Sequence, residues 1–533
     1  MGMVKKWLGP VVLVLLGLFA ARTFFGPGYF DGHDAQAHLV RLWQFVAAIK
    51  DGQFLPAWAG DLYAGRGYPV FVFAYPLPYL IASGFHLAGL TLAAAIKATF
   101  VLSYLLTGLT MYWFASTYWR SRLAGFISSL LWTWAPYMFV KMFVTASLGA
   151  VVSYVFVPLS FLWLYRLLTR KKKADLIWLS LSLAGMILSH LITLIIFIPL
   201  MIVFALYHKG LKKIKPLAGA GLLALGLSAF YLLPAILELP FTHYADFSQN
   251  QYASQFVELK RLLYSTWGTD APGWGNNPLS QQEGIAQWLA VVLAALLGWR
   301  ARKAAPLVIG FGLAVFLMLP ISRFVWDSFS PLQAVNTPWR FLSLAIFSAA
   351  VAGGYLAVAK PRWVKWLLVP VVILALYGNR NHLRINERVD YASQWLSEYT
   401  GVATGWNEHL PIWVSDVNFL RPETSAQVTR GECEIMPVEK KSKRQTFSLN
   451  CATEAIIQLN TLYYPGWKVR VDEETQVTDE VLKRLEESNG LQRFSVDAGE
   501  HKLEAEFIKT MLRQVAYLIS LITLAGAIIF YKK

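Results

Sequence analysis

Apolar runs of roughly 17 to 25 residues, the length needed to cross the hydrocarbon of a bilayer, recur along the whole chain. They are read at 7–25, 94–117, 123–142, 147–168, 174–189, 191–207, 216–237, 285–299, 304–320, 340–358, 364–378 and 513–531. In lipid the backbone of such runs is satisfied by folding them as helices. With 56% apolar and 15% charged residues among 533, the chain lies outside soluble globular composition. The expected fold is a polytopic α-helical membrane protein with about 12 to 14 spans. Segment 69–90 is apolar as well, and the parity of crossings holds only if it crosses zero times or twice.

Orientation follows from where Lys and Arg gather, because positive loops are retained on the cytoplasmic side. The clusters are Lys5/Lys6, Arg120/Arg122, Arg170 to Lys173, Lys209 to Lys215, Arg300 to Lys303, Lys360 to Lys365 and Lys532/Lys533. Placing all of them inside predicts a multi-pass protein of the cell membrane with both termini cytoplasmic. A formal charge of +16 would point to nucleic acid in a soluble protein. Here about twenty of the 48 basic residues belong to these clusters, so topology accounts for the charge and no nucleic-acid partner is expected. The first run ends in "FAAR", like a cleaved leader, but it is long for one and is read as the first span.

The acids are distributed differently. Only 11 of 32 precede Glu387, and ten of these fall in or beside the three loops predicted to face outward. The rest belong to a polar stretch between the last two spans. The expected domains are a transmembrane unit over 1–379 with an outward first loop at 26–68, an extracytoplasmic β-rich domain over 380–512, and a final span with a cytoplasmic tail over 513–533. Both cysteines, Cys433 and Cys451, lie in "GECEIMPVEKKSKRQTFSLNCAT", where alternation on either side of a basic turn predicts a hairpin. An outward, oxidising location favours a bridge between them, with two buried free thiols as the alternative. The "YYPGW" motif either offers an aromatic surface to sugars or forms a sandwich core.

The densest polar chemistry is "FDGHDAQAHLVRLWQF", Phe30 to Phe45. A helix over 34–50 sets Asp34, His38 and Arg41 in one narrow arc and Leu39, Leu42, Val46 and Ile49 in another. Such a helix would lie on the outer leaflet with its apolar side down. Asp31 supplies a second carboxylate just before it. The alternative role for either acid is to cap the helix and nothing more. Asp34 and His38 could also share a divalent cation such as Mg or Mn, though a pair is too few ligands to define a site. No nucleotide-binding glycine loop, nucleophile elbow or zinc-protease motif occurs, which argues against nucleotide-driven transport and most hydrolases.

Further along, His190 interrupts a long apolar stretch in "LSHLIT", placed as an outward turn. Arg340 opens a span in "NTPWRFLSLAIF", where a cation needs a partner or else snorkels to the interface. Guanidinium binds phosphate through paired donors, and Arg66, Lys141, Lys260 and Arg261 could join the same anionic pocket.

These motifs carry a resemblance. "GHDAQAHLVRLWQF", "LPAWAGDLYAGRGYPVF", "YPVFVFAYPLPYLIA", "LSHLIT", "TPWRFL" and "YYPGWKVRVD…VDAGEHKLEAEF" resemble GT-C-fold integral membrane glycosyltransferases. More narrowly they are similar to a YfhO-like branch that overlaps membrane proteins labelled pyruvoyl-tetrahydropterin-synthase-related, a label without chemical support in this sequence. The resemblance implies that Asp34, or failing it Asp31, is the general base. It also implies that Arg340 with Arg66 holds the phosphate of a polyprenyl-phosphate-linked sugar, which an inverting enzyme passes to an extracytoplasmic glycan, lipid or protein acceptor. His38, Arg41 and His190 are expected to line the same substrate site. One departure is evident: similar proteins tend to carry an acid after "SLG", where this chain has Ala150 and Val151, leaving a relocated acid such as Glu238 as one explanation. A lipid or glycan transporter and a non-catalytic scaffold for envelope synthesis are the competing expectations.

Overall fold

A computed structural model describes residues 2–532 apart from 171, 210–213, 249–250, 272–274, 299–302, 361, 392 and 474. Lys171, Lys212, Lys213, Arg300, Arg302 and Lys533, from the basic clusters, lie outside the described residues. Five helices are long and apolar enough to cross a membrane, and three further pairs of helices reach that length only across a sharp bend. The chain is a helical membrane protein with a sheet-rich C-terminal domain. The bends follow from sequence. Pro136 opens the second half of the pair 122–144, bent by 53°, and Pro320 that of the pair 305–328, bent by 87°, because proline cannot continue the hydrogen-bond ladder.

The helices needed below are α1 (Gly2–Ala20), α2 (Ala35–Lys50), α3 (Leu92–Trp119), α4 (Arg122–Thr133), α5 (Leu148–Arg170), α6 (Lys173–Lys209), α7 (Ala229–Leu237), α8 (Leu342–Gly353) and α9 (Met511–Lys532). Every residue of α8 is buried. A helix apolar on all sides belongs at the centre of a bundle, and its Ala, Ser and Gly residues let neighbours approach closely. Phe347 of α8 meets Phe114 of α3, Phe161 of α5 and Phe197 of α6 with ring centroids 4.7–6.1 Å apart. One aromatic cluster therefore locks four helices together. α6 is interrupted at His190, whose φ −169° and ψ 91° leave the helical region. The backbone N–H of Thr193 donates to His190 Nδ1 at 3.3 Å, so the imidazole caps the second half of the helix.

Outside the bundle, two antiparallel sheets form the C-terminal domain. One has the order β4-β5-β10-β7-β8 and the other β3-β6-β9; the strands are β3 (Ala426–Arg430), β4 (Cys433–Lys441), β5 (Arg444–Cys451), β6 (Ala455–Leu462), β7 (Trp467–Val471), β8 (Thr475–Gln476), β9 (Leu491–Val496) and β10 (Gly499–Phe507). Strands β7 and β9 alternate buried and half-buried residues, as sheets with one face against a core do. Cys433 and Cys451 are disulfide-bonded across directly opposed positions of β4 and β5. The aromatic residues of "YYPGW" are core rather than a sugar-binding surface: Tyr463, Tyr464 and Trp467 are 7%, 0% and 1% exposed. Trp58 from the first loop packs against Trp467 and Phe507. A short pairing of β1 (Tyr29–Phe30) with β2 (Arg388–Val389) also ties that loop to the chain beyond the last bundle helix.

A cationic cluster around Asp34

Helix α2 does not lie on a leaflet as its amphipathic pattern predicts. Its apolar residues Leu39, Leu42 and Val46 are 2%, 0% and 4% exposed, with Phe45 edge-on to Phe71, so protein rather than lipid covers that side. Asp34 occupies the N-cap position of α2, yet its side chain makes no capping hydrogen bond. A carboxylate at that place ordinarily accepts from the first turn; this one is left free for other chemistry.

The backbone fixes where it sits. The amides of His33 and Asp34 donate to the carbonyls of Val144 and Thr145 at 3.0 and 3.2 Å, at the end of the π-helical turn Val140–Val144 that carries Lys141. The contact requires glycine at position 32, since a Cβ there would stand 2.9 Å from Val144 O and 3.1 Å from the Ala146 Cβ. Gly32→Ala is therefore expected to cost about 1–3 kcal/mol by overpacking and to slow turnover by moving Asp34 from Lys141. A melting curve and a rate measured on the same preparation would check both.

Four groups bear electrostatically on the Asp34 carboxylate: Arg41, Lys141, His33 and Arg340. They come from α2, the broken span 122–144, the first loop and the entry to α8. Asp34 is exposed to solvent although protein groups surround it. Burial raises its pKa above the ordinary carboxylate range, and the neighbouring groups, Arg41 most of all, oppose that rise. Among the described residues no ion pair closes on Asp34, so a gap separates it from its cations. Each cation retains spare donors. Arg41 donates through Nε to Ala403 O at 2.8 Å, Arg340 to Val335 O at 2.7 Å, and Lys141 lies 5.0 Å from the centre of the Trp339 ring. Three cations gathered around one acid have the chemistry to hold a polyanionic group.

His38 is not a fourth cation. Burial and then Arg41 hold its pKa down at about 3, its Nδ1 is hydrogen-bonded to Tyr79 Oη at 2.7 Å, and its Nε2 is buried without a hydrogen-bond partner. His190 lies within electrostatic reach of Arg340 and Lys141 and edge-on to Tyr75 at 6.1 Å.

Other expected members lie elsewhere. The Asp31 carboxylate is exposed and bears on Tyr391, because its backbone follows the β1–β2 pairing outward with its amide on Glu387 O. Arg66 donates to the carbonyls of Asn418 and Leu420 at 3.2 and 2.8 Å, on the way into the C-terminal domain rather than beside Asp34. Lys260 is exposed and paired with Glu258, and Arg261 reaches Leu279 O. Glu238 does not replace the acid missing after "SLG", for it is fully engaged by Arg513, and Ala150 and Val151 are core residues. Tyrosines surround the cations: Tyr137, Tyr154 and Tyr244 near Arg340, which no sequence pattern singles out, and Tyr75 and Tyr79 near Arg41. For Tyr75 and Tyr79 the signal is the two prolines that punctuate "AYPLPY".

No three His, Cys, Asp or Glu side chains converge on a metal position among the described residues.

Beside the site, a cavity of about 890 Å³ runs along α3 from Leu90 to Leu105 and is bordered by Leu39 of α2, Phe24 and Tyr29. Its walls are mainly apolar, with Lys97 donating to the carbonyls of Gly26 and Gly28 at 2.8 and 2.6 Å.

A family model described as 6-pyruvoyl-tetrahydropterin synthase related domain, membrane protein, matches residues 72–385. An uncharacterized protein of Lactococcus lactis subsp. cremoris (strain MG1363) is 25% identical over 256 residues, 45% of this chain and 42% of its own length. The chain thus spans about two fifths of that relative. Two cryo-EM structures of the arabinofuranosyltransferase AftD from mycobacteria, one of a mutant, share 13% and 14% identity with TM-scores of 0.48 and 0.49. Each covers 73% of this chain, which spans only 28% and 29% of those chains.

Proposed function

The chain belongs to the 6-pyruvoyl-tetrahydropterin synthase related family of membrane proteins, and within it we propose an inverting glycosyltransferase that moves a sugar from a polyprenyl-phosphate donor to an acceptor outside the cytoplasm. The observation that carries the reading is the grouping of Arg41, Lys141 and Arg340 around an N-cap carboxylate that caps nothing. Sugar transfer from a phosphate passes through an oxocarbenium-like state, with negative charge growing on the leaving oxygen as the acceptor hydroxyl attacks C1. The three cations offset that charge. Asp34 takes the acceptor proton as the new C–O bond forms and the phosphate departs. The apolar cavity along α3 suits the tail of a lipid-linked substrate. The positive clusters support a topology with both termini inside and the Asp34 site, with the β domain, on the opposite face.

Transfer of radiolabelled sugar from polyprenyl-phosphate donors to acceptor glycolipids, measured with the full chain in lipid nanodiscs, tests the reading. Arg340→Ala is expected to lower kcat about 10²- to 10³-fold, as loss of one charge-stabilising donor does. Arg340→Lys should recover only part, because an ammonium lacks the planar fork. An alanine variant working at the wild-type rate would remove the proposed phosphate clamp.

A further inference from the structure

Away from Asp34, a polar cavity of about 220 Å³ opens where the first loop meets the outer domain. Its charged lining is Asp61, Arg421, Glu423 and Lys440, two carboxylates against two cations. The rest of its hydrogen-bonding wall comes from residues such as Gln445, Asn460 and Thr461 on β5 and β6. This is the reverse of the apolar cavity beside α3. A cavity without net charge, walled by amides, hydroxyls and carboxylates, suits an uncharged ligand rich in hydroxyl groups.

One wall residue lacks a partner. Gln445 is 5% exposed and donates through Nε2 to Thr461 Oγ1 at 2.8 Å, while its Oε1 is buried with no hydrogen bond. Turning the amide over would leave its nitrogen in the same position. A buried polar atom left so carries a penalty that a ligand hydroxyl would relieve.

The cavity is tied to the Asp34 site twice. Asp61 and Gln44 exchange two hydrogen bonds of 3.0 Å, and Gln44 stands three residues beyond Arg41 on α2, on the same side of the helix. Arg421 donates to the carbonyls of Ser397 and Tyr399 at 2.9 and 3.4 Å, at the start of the segment whose Ala403 carbonyl accepts from Arg41.

We propose that this cavity is an acceptor subsite that holds one uncharged sugar residue of a glycan, with Gln445 and Glu423 bonding its hydroxyls. The proposal rests on the glycosyltransferase reading for the word acceptor, but the binding it describes can be measured without turnover. The full chain carrying Asp34→Asn, in nanodiscs, would be titrated with fluorescent short glucans, galactans, mannans and arabinans, and with polygalacturonate as an anionic control. Saturable binding of at least one neutral glycan is expected, weakened at least tenfold by Glu423→Leu and by Gln445→Met. The two variants guard one another against misfolding, which an unchanged melting temperature checks. Binding that survives both substitutions, preference for polygalacturonate, or no binding at all overturns the subsite. Lining-dependent binding by a wild-type chain that transfers no sugar would leave the subsite standing and remove the transferase.

Discussion

Asp34→Asn is expected to reduce sugar transfer by about 10²- to 10⁴-fold while leaving donor binding intact, the loss typical of a missing general base. The substitution keeps the size of the side chain and its place at the start of α2, and it breaks no capping hydrogen bond because none exists. Stability should hardly move, which separates a chemical from a structural role. The pH dependence gives a second readout. The base works only when deprotonated, and burial holds its pKa above that of an exposed aspartate. Activity should therefore fall as pH is lowered through that raised pKa, earlier on the way down than an exposed carboxylate would allow. An Asn variant of wild-type activity, or a rate flat down to the range of ordinary aspartates, would show that the acceptor proton leaves by another route.

What the sequence made legible was local. The helix expected over 34–50 is Ala35–Lys50, and Asp34, His38 and Arg41 face inward together, because a 100° step is a property of the chain alone. The aromatic and amide-rich runs after residue 420 form strands for the same reason, alternation being visible within a few residues. Other features depended on partners far along the chain. Amphipathicity shows that one side of α2 must be covered, but not whether lipid or protein covers it, and here Phe71 and Tyr79 do. Lys141 was one weak candidate among several cations until the bend before Pro136 and the glycine at position 32 set it beside Asp34. Arg66 has the chemistry of a phosphate ligand, yet the carbonyls of residues 418 and 420 were available to it and nearer. Composition specifies what a side chain can do; long-range packing decides which of its options is taken.

The largest effect on stability is expected from Arg513→Met. Arg513, near the start of α9, donates through Nε and an Nη to the two oxygens of Glu238 at 2.9 and 2.6 Å, and the two side chains are 4% and 3% exposed. Glu238 ends α7, while Tyr464 and Phe507 of the outer domain flank the guanidinium at 5.8 and 4.9 Å. One ion pair therefore joins a bent span, the last helix and the β domain. Desolvation makes such a pair of little net worth relative to apolar residues, but removing one partner strands the other charge, which costs about 3–5 kcal/mol. Arg513→Met should lower the melting temperature sharply and expose the β domain to protease, because the uncompensated carboxylate must be hydrated or protonated. The double variant Glu238→Gln with Arg513→Met should recover most of the loss, since neither charge is then left alone. It should also transfer sugar, because Glu238 takes no part at the Asp34 site. A stable Arg513→Met chain would mean that the pair fastens nothing, and a stable but inactive double variant would return Glu238 to the chemistry.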